Sequence, residues 1–200
     1  LGGEQSGFIN DIGFETYQKI LKEAVEELKS EHFKELYPNH ESAPKEVQID
    51  TDLQILFPDT YINSVQERLS CYHSLNEVTN QYALDQFVNE LQDRFGTLPP
   101  TSQALIQSIQ LKWLAIELHF EKIVLKKNKL IAYFDLSTNQ DFFQSGQFQF
   151  MMKKLQSHSK KGMLKERKHG ENSRLLLSFE NVNTIEEALN SLKELQPITA

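Results

Sequence analysis

The side chains best able to do chemistry are two carboxylates in "NELQDRFGTLPP", residues 89–100, together with six histidines, one cysteine and a run of bases. Glu90 and Asp93 could in principle act as an acid–base dyad. That chemistry needs a concave, desolvated site. Placed on a helix at ~100° per residue, Leu84, Phe87, Val88, Leu91 and Phe95 fall on one apolar arc. Glu90 and Asp93 fall opposite or to the side of it, about 60° apart, as i and i+3 neighbours on one exposed face. Such a face offers a dyad no pocket. Like charges this close repel mildly, and acids near a helix C-terminus oppose its dipole. Two readings stay open. Glu90 could pair with Arg94 one turn on, for about 0.3–0.5 kcal/mol. Alternatively, the two acids meet something outside the helix.

The other reactive residues carry weaker signals. His32, His40, His73, His119, His158 and His169 are scattered, and none has a second histidine or a cysteine at i+4. Cys71 sits alone in "RLSCYHS" on a helix and reads as a small buried hydrophobe. There is no phosphate-binding G-x-x-x-x-G-K-[ST], no G-x-S-x-G, no H-E-x-x-H and no C-x-x-C. Between Lys153 and Arg174 stand eight bases and two acids. A single-strand nucleic-acid groove interleaves stacking rings with its cations. Few aromatics occur here, so solvated hairpin and helix charge is the favoured reading and a nucleic-acid-binding stretch at 153–174 is the alternative. Lys153 and Lys154 also suit the last turn of a helix.

Composition sets the frame for these residues. At 39% hydrophobic residues over 200 positions the chain can bury a sizeable core. The net charge of −7 argues against a generic polyanion binder. Residues 1–95 carry 18 acids and 7 bases, whereas residues 153–200 carry 6 acids and 9 bases. A single cysteine excludes an intrachain disulfide and fits a reducing cytoplasm. No apolar run approaches the ~20 residues of a membrane span, and nothing at the start has the pattern of a secretory signal. The opening "LGGEQSG", without methionine, is expected to be internal to a longer protein.

The elements that must position the acids follow from periodicity. Residues 13–29 predict an amphipathic helix with Phe14, Tyr17, Ile20, Leu21, Ala24, Val25 and Leu28 on one face. Residues 30–46, polar and holding Pro38 and Pro44, predict a linker. A strand is expected at 47–50, with a weaker extended run at 53–56. Helices are expected at 61–78, with Ile62, Val65, Leu69, Tyr72 and Leu75 as its stripe, at 81–95, and at 101–119, with Leu105, Ile109, Trp113 and Ile116 as its stripe. Gly96 and Pro99–Pro100 punctuate the last two. A hairpin about "KN" is expected near 121–135, a helix near 142–156, a hairpin about "HGEN", and a helix at 184–195 with Thr184 and Glu187 at capping-box spacing. The fold class is α+β: helices on an antiparallel sheet built largely from hairpins, preceded by the amphipathic helix.

Three stretches carry a family resemblance: "LGGEQSGFINDIGFETYQKIL" at 1–21, "LFPDTYINSVQERLSCYHSL" at 56–75 and "ELQDRFGTLPP" at 90–100. In order and spacing the chain resembles the C-terminal end of the bacterial transcription-repair coupling factors. "RLSCY" departs from the family's usual large residue at the cysteine position. Beyond about residue 120 the likeness is one of pattern alone. The resemblance implies an ATP-driven DNA translocase as parent, which removes stalled RNA polymerase from duplex DNA and recruits excision repair. Residues 1–29 resemble the tail of its motor, with Gln5 at a glutamine of the translocation motif. The ATP- and Mg-binding motifs are absent, so no cofactor and no ATP hydrolysis are expected of this chain. Residues 47–200 resemble the family's regulatory domain, which docks on an N-terminal module similar to a repair-nuclease subunit and hides the surface that binds UvrA. The resemblance maps the acidic docking positions onto Glu90 and Asp93, facing a basic patch of that module.

Overall fold

A computed structural model describes residues 47–134, 141–157, 162–169 and 172–197. The expected helix 13–29, the linker 30–46 and Gln5 lie outside the described residues.

The chain enters through β1 (Gln48–Thr51). The run 53–56 forms no strand. It leads instead into a turn in which the Tyr61 and Ile62 amides both donate to the Pro58 carbonyl at 3.0 Å. That turn takes the place of the expected first turn of helix. Helix α1 (Val65–Asn76) therefore begins at Ser64, whose Oγ accepts from the Glu67 amide at 3.3 Å. The Asn80 side chain caps α2 (Gln81–Phe95) by accepting from the Ala83 amide at 2.9 Å. Gly96 ends it in the left-handed region at φ 83°, as a glycine can without a Cβ penalty. Helix α3 (Pro100–Glu117) opens on proline, whose missing N–H costs nothing in a first turn.

Two predicted stripes are corrected. In α1 the buried residues are Cys71 and Leu75, while Val65 and Leu69 are exposed. The helix is held from the Tyr72 side, where the Phe57 amide donates to the Tyr72 hydroxyl at 2.9 Å. In α3, Ile116 is 51% exposed. Its C-terminal half buries Leu111, Leu114 and Ala115 in the main core, with Leu118 just beyond. Its N-terminal half buries Leu105 and Ile106 outside that cluster, where the Ser102 hydroxyl donates to the Leu56 carbonyl at 3.3 Å. A helix that buries different sides at its two ends shows no single stripe.

Strands β2 (Phe120–Lys126) and β3 (Lys129–Phe134) form the expected hairpin, turning on Lys127 and Asn128, both with positive φ. A 3₁₀ turn over Phe142–Gln144 precedes α4 (Gly146–Ser157). Strands β4 (Met163–His169) and β5 (Asn172–Glu180) pair antiparallel, and α5 (Ile185–Lys193) closes the described chain. Thr184 Oγ1 accepts from the Glu187 amide at 3.0 Å, and the Glu187 carboxylate accepts from the Asn183 amide at 2.6 Å.

The sheet order is β1-β2-β3-β5-β4. Because β1 runs parallel to β2 the sheet is mixed, where hairpins alone had predicted antiparallel pairing. One sheet face carries Ile123, Leu125, Leu130, Ala132, Phe134, Leu177 and Phe179, which share one core cluster with side chains of α3, α4 and α5. The architecture is α+β, with the helices that pack on the sheet gathered on that face.

Candidate functional site: the outer face of α2

Helix α2 is fixed from its inner side. Leu84, Phe87 and Leu91 are buried, and the Phe87 ring packs 6.4 Å from Phe57. Its C-terminal end is clasped by Tyr61. The Tyr61 hydroxyl lies 3.2 Å from the Leu91 carbonyl, in the last turn of the helix, and 3.0 Å from the Gly96 carbonyl just past its end. The Tyr61 ring meets Phe95 edge-on at 5.8 Å. Burial holds the Tyr61 phenol above its ordinary titration range, with a smaller contribution from Cys71.

Glu90 and Asp93 both stand exposed on the opposite side. Among the described residues neither carboxylate makes a hydrogen bond or an ion pair. The local explanation for Glu90 does not hold. Arg94, one turn on, reaches across to α1 and pairs with Glu67 at 3.1 Å, with its guanidinium carbon 4.7 Å above the Phe95 ring. The same outer face carries Tyr82, 72% exposed, whose hydroxyl accepts from the Gln86 amide at 2.7 Å. Near the N-terminus of the helix, Gln81 donates to Asp85 at 2.7 Å. The face is exposed and polar, and its charged residues Asp85, Glu90 and Asp93 are acidic. It can present carboxylates to a cationic partner and offers no desolvated site for acid–base chemistry.

The remaining reactive residues do not converge. Cys71 is buried; burial raises its thiol above the ordinary range, with Arg94 opposing and Glu67 adding smaller effects. His119 turns the chain between α3 and β2 at φ 60°, its ring 4.2 Å from Phe142. His73 is exposed. His32, His40 and His158 lie outside the described residues, and of His169 only the strand position is described. Among the described residues no cluster of His, Cys, Asp or Glu could hold a metal ion, and no helix is long and apolar enough to cross a membrane. The basic stretch 153–174 is spread over the end of α4, the edge strand β4 and the start of β5, with Lys154 above the Phe150 ring at 5.4 Å. The Glu67–Arg94 pair and the Tyr61 clasp were not legible in the sequence. Their partners stand 27 and 30 or more residues apart, and no local spacing connects them.

Comparison with known proteins places this geometry. Residues 51–145, which include the whole of α2, match the TRCF domain. The transcription-repair-coupling factor of Haemophilus influenzae is 36% identical over 123 residues, 62% of this chain and 10% of that protein. The corresponding protein of Buchnera aphidicola (subsp. Acyrthosiphon pisum) is 32% identical over 135 residues, 68% of this chain and 16% of that protein. The chain thus spans a small part of the length of these relatives. In fold it is similar to a crystal structure of the C-terminal domain of transcription-repair coupling factor, with TM-score 0.57 at 20% identity, covering 78% of this chain and 98% of that one. By sequence the chain belongs to the transcription-repair coupling factor family, and its fold is that of the family's C-terminal domain.

Proposed function

We propose that residues 47–200 are a regulatory, autoinhibitory domain of a cytoplasmic transcription-repair coupling translocase. The domain docks through Glu90 and Asp93 on a basic patch of the N-terminal, repair-subunit-like module of the same protein. Docked, it masks the surface that binds UvrA. Engagement of stalled RNA polymerase on duplex DNA releases it. Residues 1–29, with Gln5, are the tail of the motor and 30–46 the linker. ATP and Mg belong to the motor, and this chain by itself hydrolyses nothing.

The observation that supports this reading is the state of the two acids. Both are exposed, and the cation best placed to neutralise Glu90 is taken by Glu67. Charge-assisted contacts between carboxylates and guanidinium groups are directional, yet modest in energy when partly wet. A latch needs that balance, because its two states must differ by only a few kcal/mol.

The test is Glu90→Lys with Asp93→Arg in the full-length protein. Reversal of both charges is expected to raise UvrA binding and basal ATPase together. Wild-type levels of both would remove the latch assignment.

A further inference from the structure

The second face of the sheet has a different character from the first. The register places Lys122, Val124 and Lys126 of β2, Lys129, Ile131 and Tyr133 of β3, Arg174, Leu176 and Ser178 of β5, and Met163 and Lys165 of β4 on it. None of its apolar residues belongs to the main core cluster, although Leu176 is only 6% exposed and Ser178 beside it 1%. Val124, Ile131 and Tyr133 are half-buried, and Met163 is exposed. Among the described residues no helix shares a cluster with this face. A sheet face rich in aliphatic groups is ordinarily covered by a further layer.

Its charge pattern says what kind of layer fits. Lys126 pairs with Asp50 and Lys129 with Glu180, each at 2.5 Å, at one end of the face. Lys122, Lys165 and Arg174 have no carboxylate partner among the described residues. One row of the register runs Lys122–Tyr133–Leu176–Lys165, an apolar centre between two cations. Nucleic acid would want several stacking rings, and this row offers one. Aliphatic groups flanked by lysines suit a helix whose apolar stripe is bordered by acids, with the lysine stems covering the margin of the apolar contact.

We infer that this sheet face is a second docking surface, separate from α2, for an acidic amphipathic helix of a partner protein. Five strands span about 20 Å at ~4.8 Å spacing, which a helix of about 15 residues crosses at ~1.5 Å per residue.

The test is an NMR titration of the isotope-labelled chain with a synthetic helix of about 18 residues, leucine along one stripe and glutamate elsewhere. The amides of Val124, Ile131, Tyr133 and Leu176 are expected to shift saturably while those of residues 82–93 stay still. In Lys122→Glu/Lys165→Glu, whose substitutions are on the sheet surface, binding weakens tenfold or more, and its unperturbed core resonances verify the fold. A peptide with lysine in place of glutamate and single-stranded oligothymidylate leave the face unmoved. No shift with the acidic peptide, undiminished affinity in the charge-reversed variant, or oligothymidylate binding at the same amides would each overturn the inference.

Discussion

Arg94 on α2 holds Glu67 on α1 at 3.1 Å, and so leaves Glu90, one turn before it, without its nearest cation. Removing Glu67 would free Arg94 to turn along its own helix toward Glu90. If the proposed latch holds, Glu67→Gln in the full-length protein is expected to unlatch in part, raising UvrA binding less than the double charge reversal does. Glu67→Gln with Arg94→Gln should restore the latch, since the competing cation is gone. The stability cost of the single change is small, ~0.2–1 kcal/mol for a surface pair by urea denaturation. Equal unlatching in the single and double variants would exclude competition by Arg94.

Two glycines are required for different physical reasons, and alanine separates them. At Gly96 a Cβ meets nothing within 4 Å, but φ is 83°, so Gly96→Ala carries a backbone cost of about 1–2 kcal/mol. At Gly162 a Cβ would stand 2.5 Å from Leu155 Cδ2 and 2.6 Å from Phe179 Cε1, so Gly162→Ala overpacks the junction of α4 and β5 by about 1–3 kcal/mol. Urea midpoints measure both. Leu155→Ala should partly rescue Gly162→Ala and leave Gly96→Ala unchanged.

Much of this was legible because local signals agreed. Gly96 and Pro100 each mark a helix end that the backbone then adopts, so α2 appears at 81–95 as expected. The hairpin at Lys127–Asn128 was readable from its turn residues. What failed was what depends on partners far away in sequence. The α3 stripe assumed one buried side, whereas Ile106 and Leu114 serve different clusters. The parallel pairing of β1 with β2 joins residues more than 70 apart and has no turn to announce it. The two acids were placed correctly on the outer face by the helical period, but the competitor that leaves Glu90 free, Glu67, was invisible in spacing.

Cys71 should behave as an inert core thiol. Burial raises its folded titration point, so the native state holds its proton more tightly than the unfolded chain does. Tyr61 and Tyr72 are raised by burial in the same direction. For groups raised in this way, stability is intact below their unfolded values and falls as pH climbs through the alkaline range. Denaturation midpoints are expected to hold steady near neutrality and drop above about pH 9, with Cys71→Ala delaying the onset. Under native conditions a thiol reagent should modify Cys71 only as fast as the protein opens.

The corrected face of α3 gives the last test. Leu111 is wholly buried in the core shared by the sheet, α3 and α5, so Leu111→Ala removes well-packed methyl groups and leaves a cavity. Its expected cost is about 2–5 kcal/mol. Ile116 lies in the stripe that periodicity favoured, yet half its surface meets solvent. Ile116→Ala should cost well under half as much, because it forfeits only part of the ~0.8 kcal/mol per buried methylene. Urea denaturation of the two variants decides between the faces. A larger loss at Ile116 than at Leu111 would mean that α3 presents the periodic stripe to the core after all.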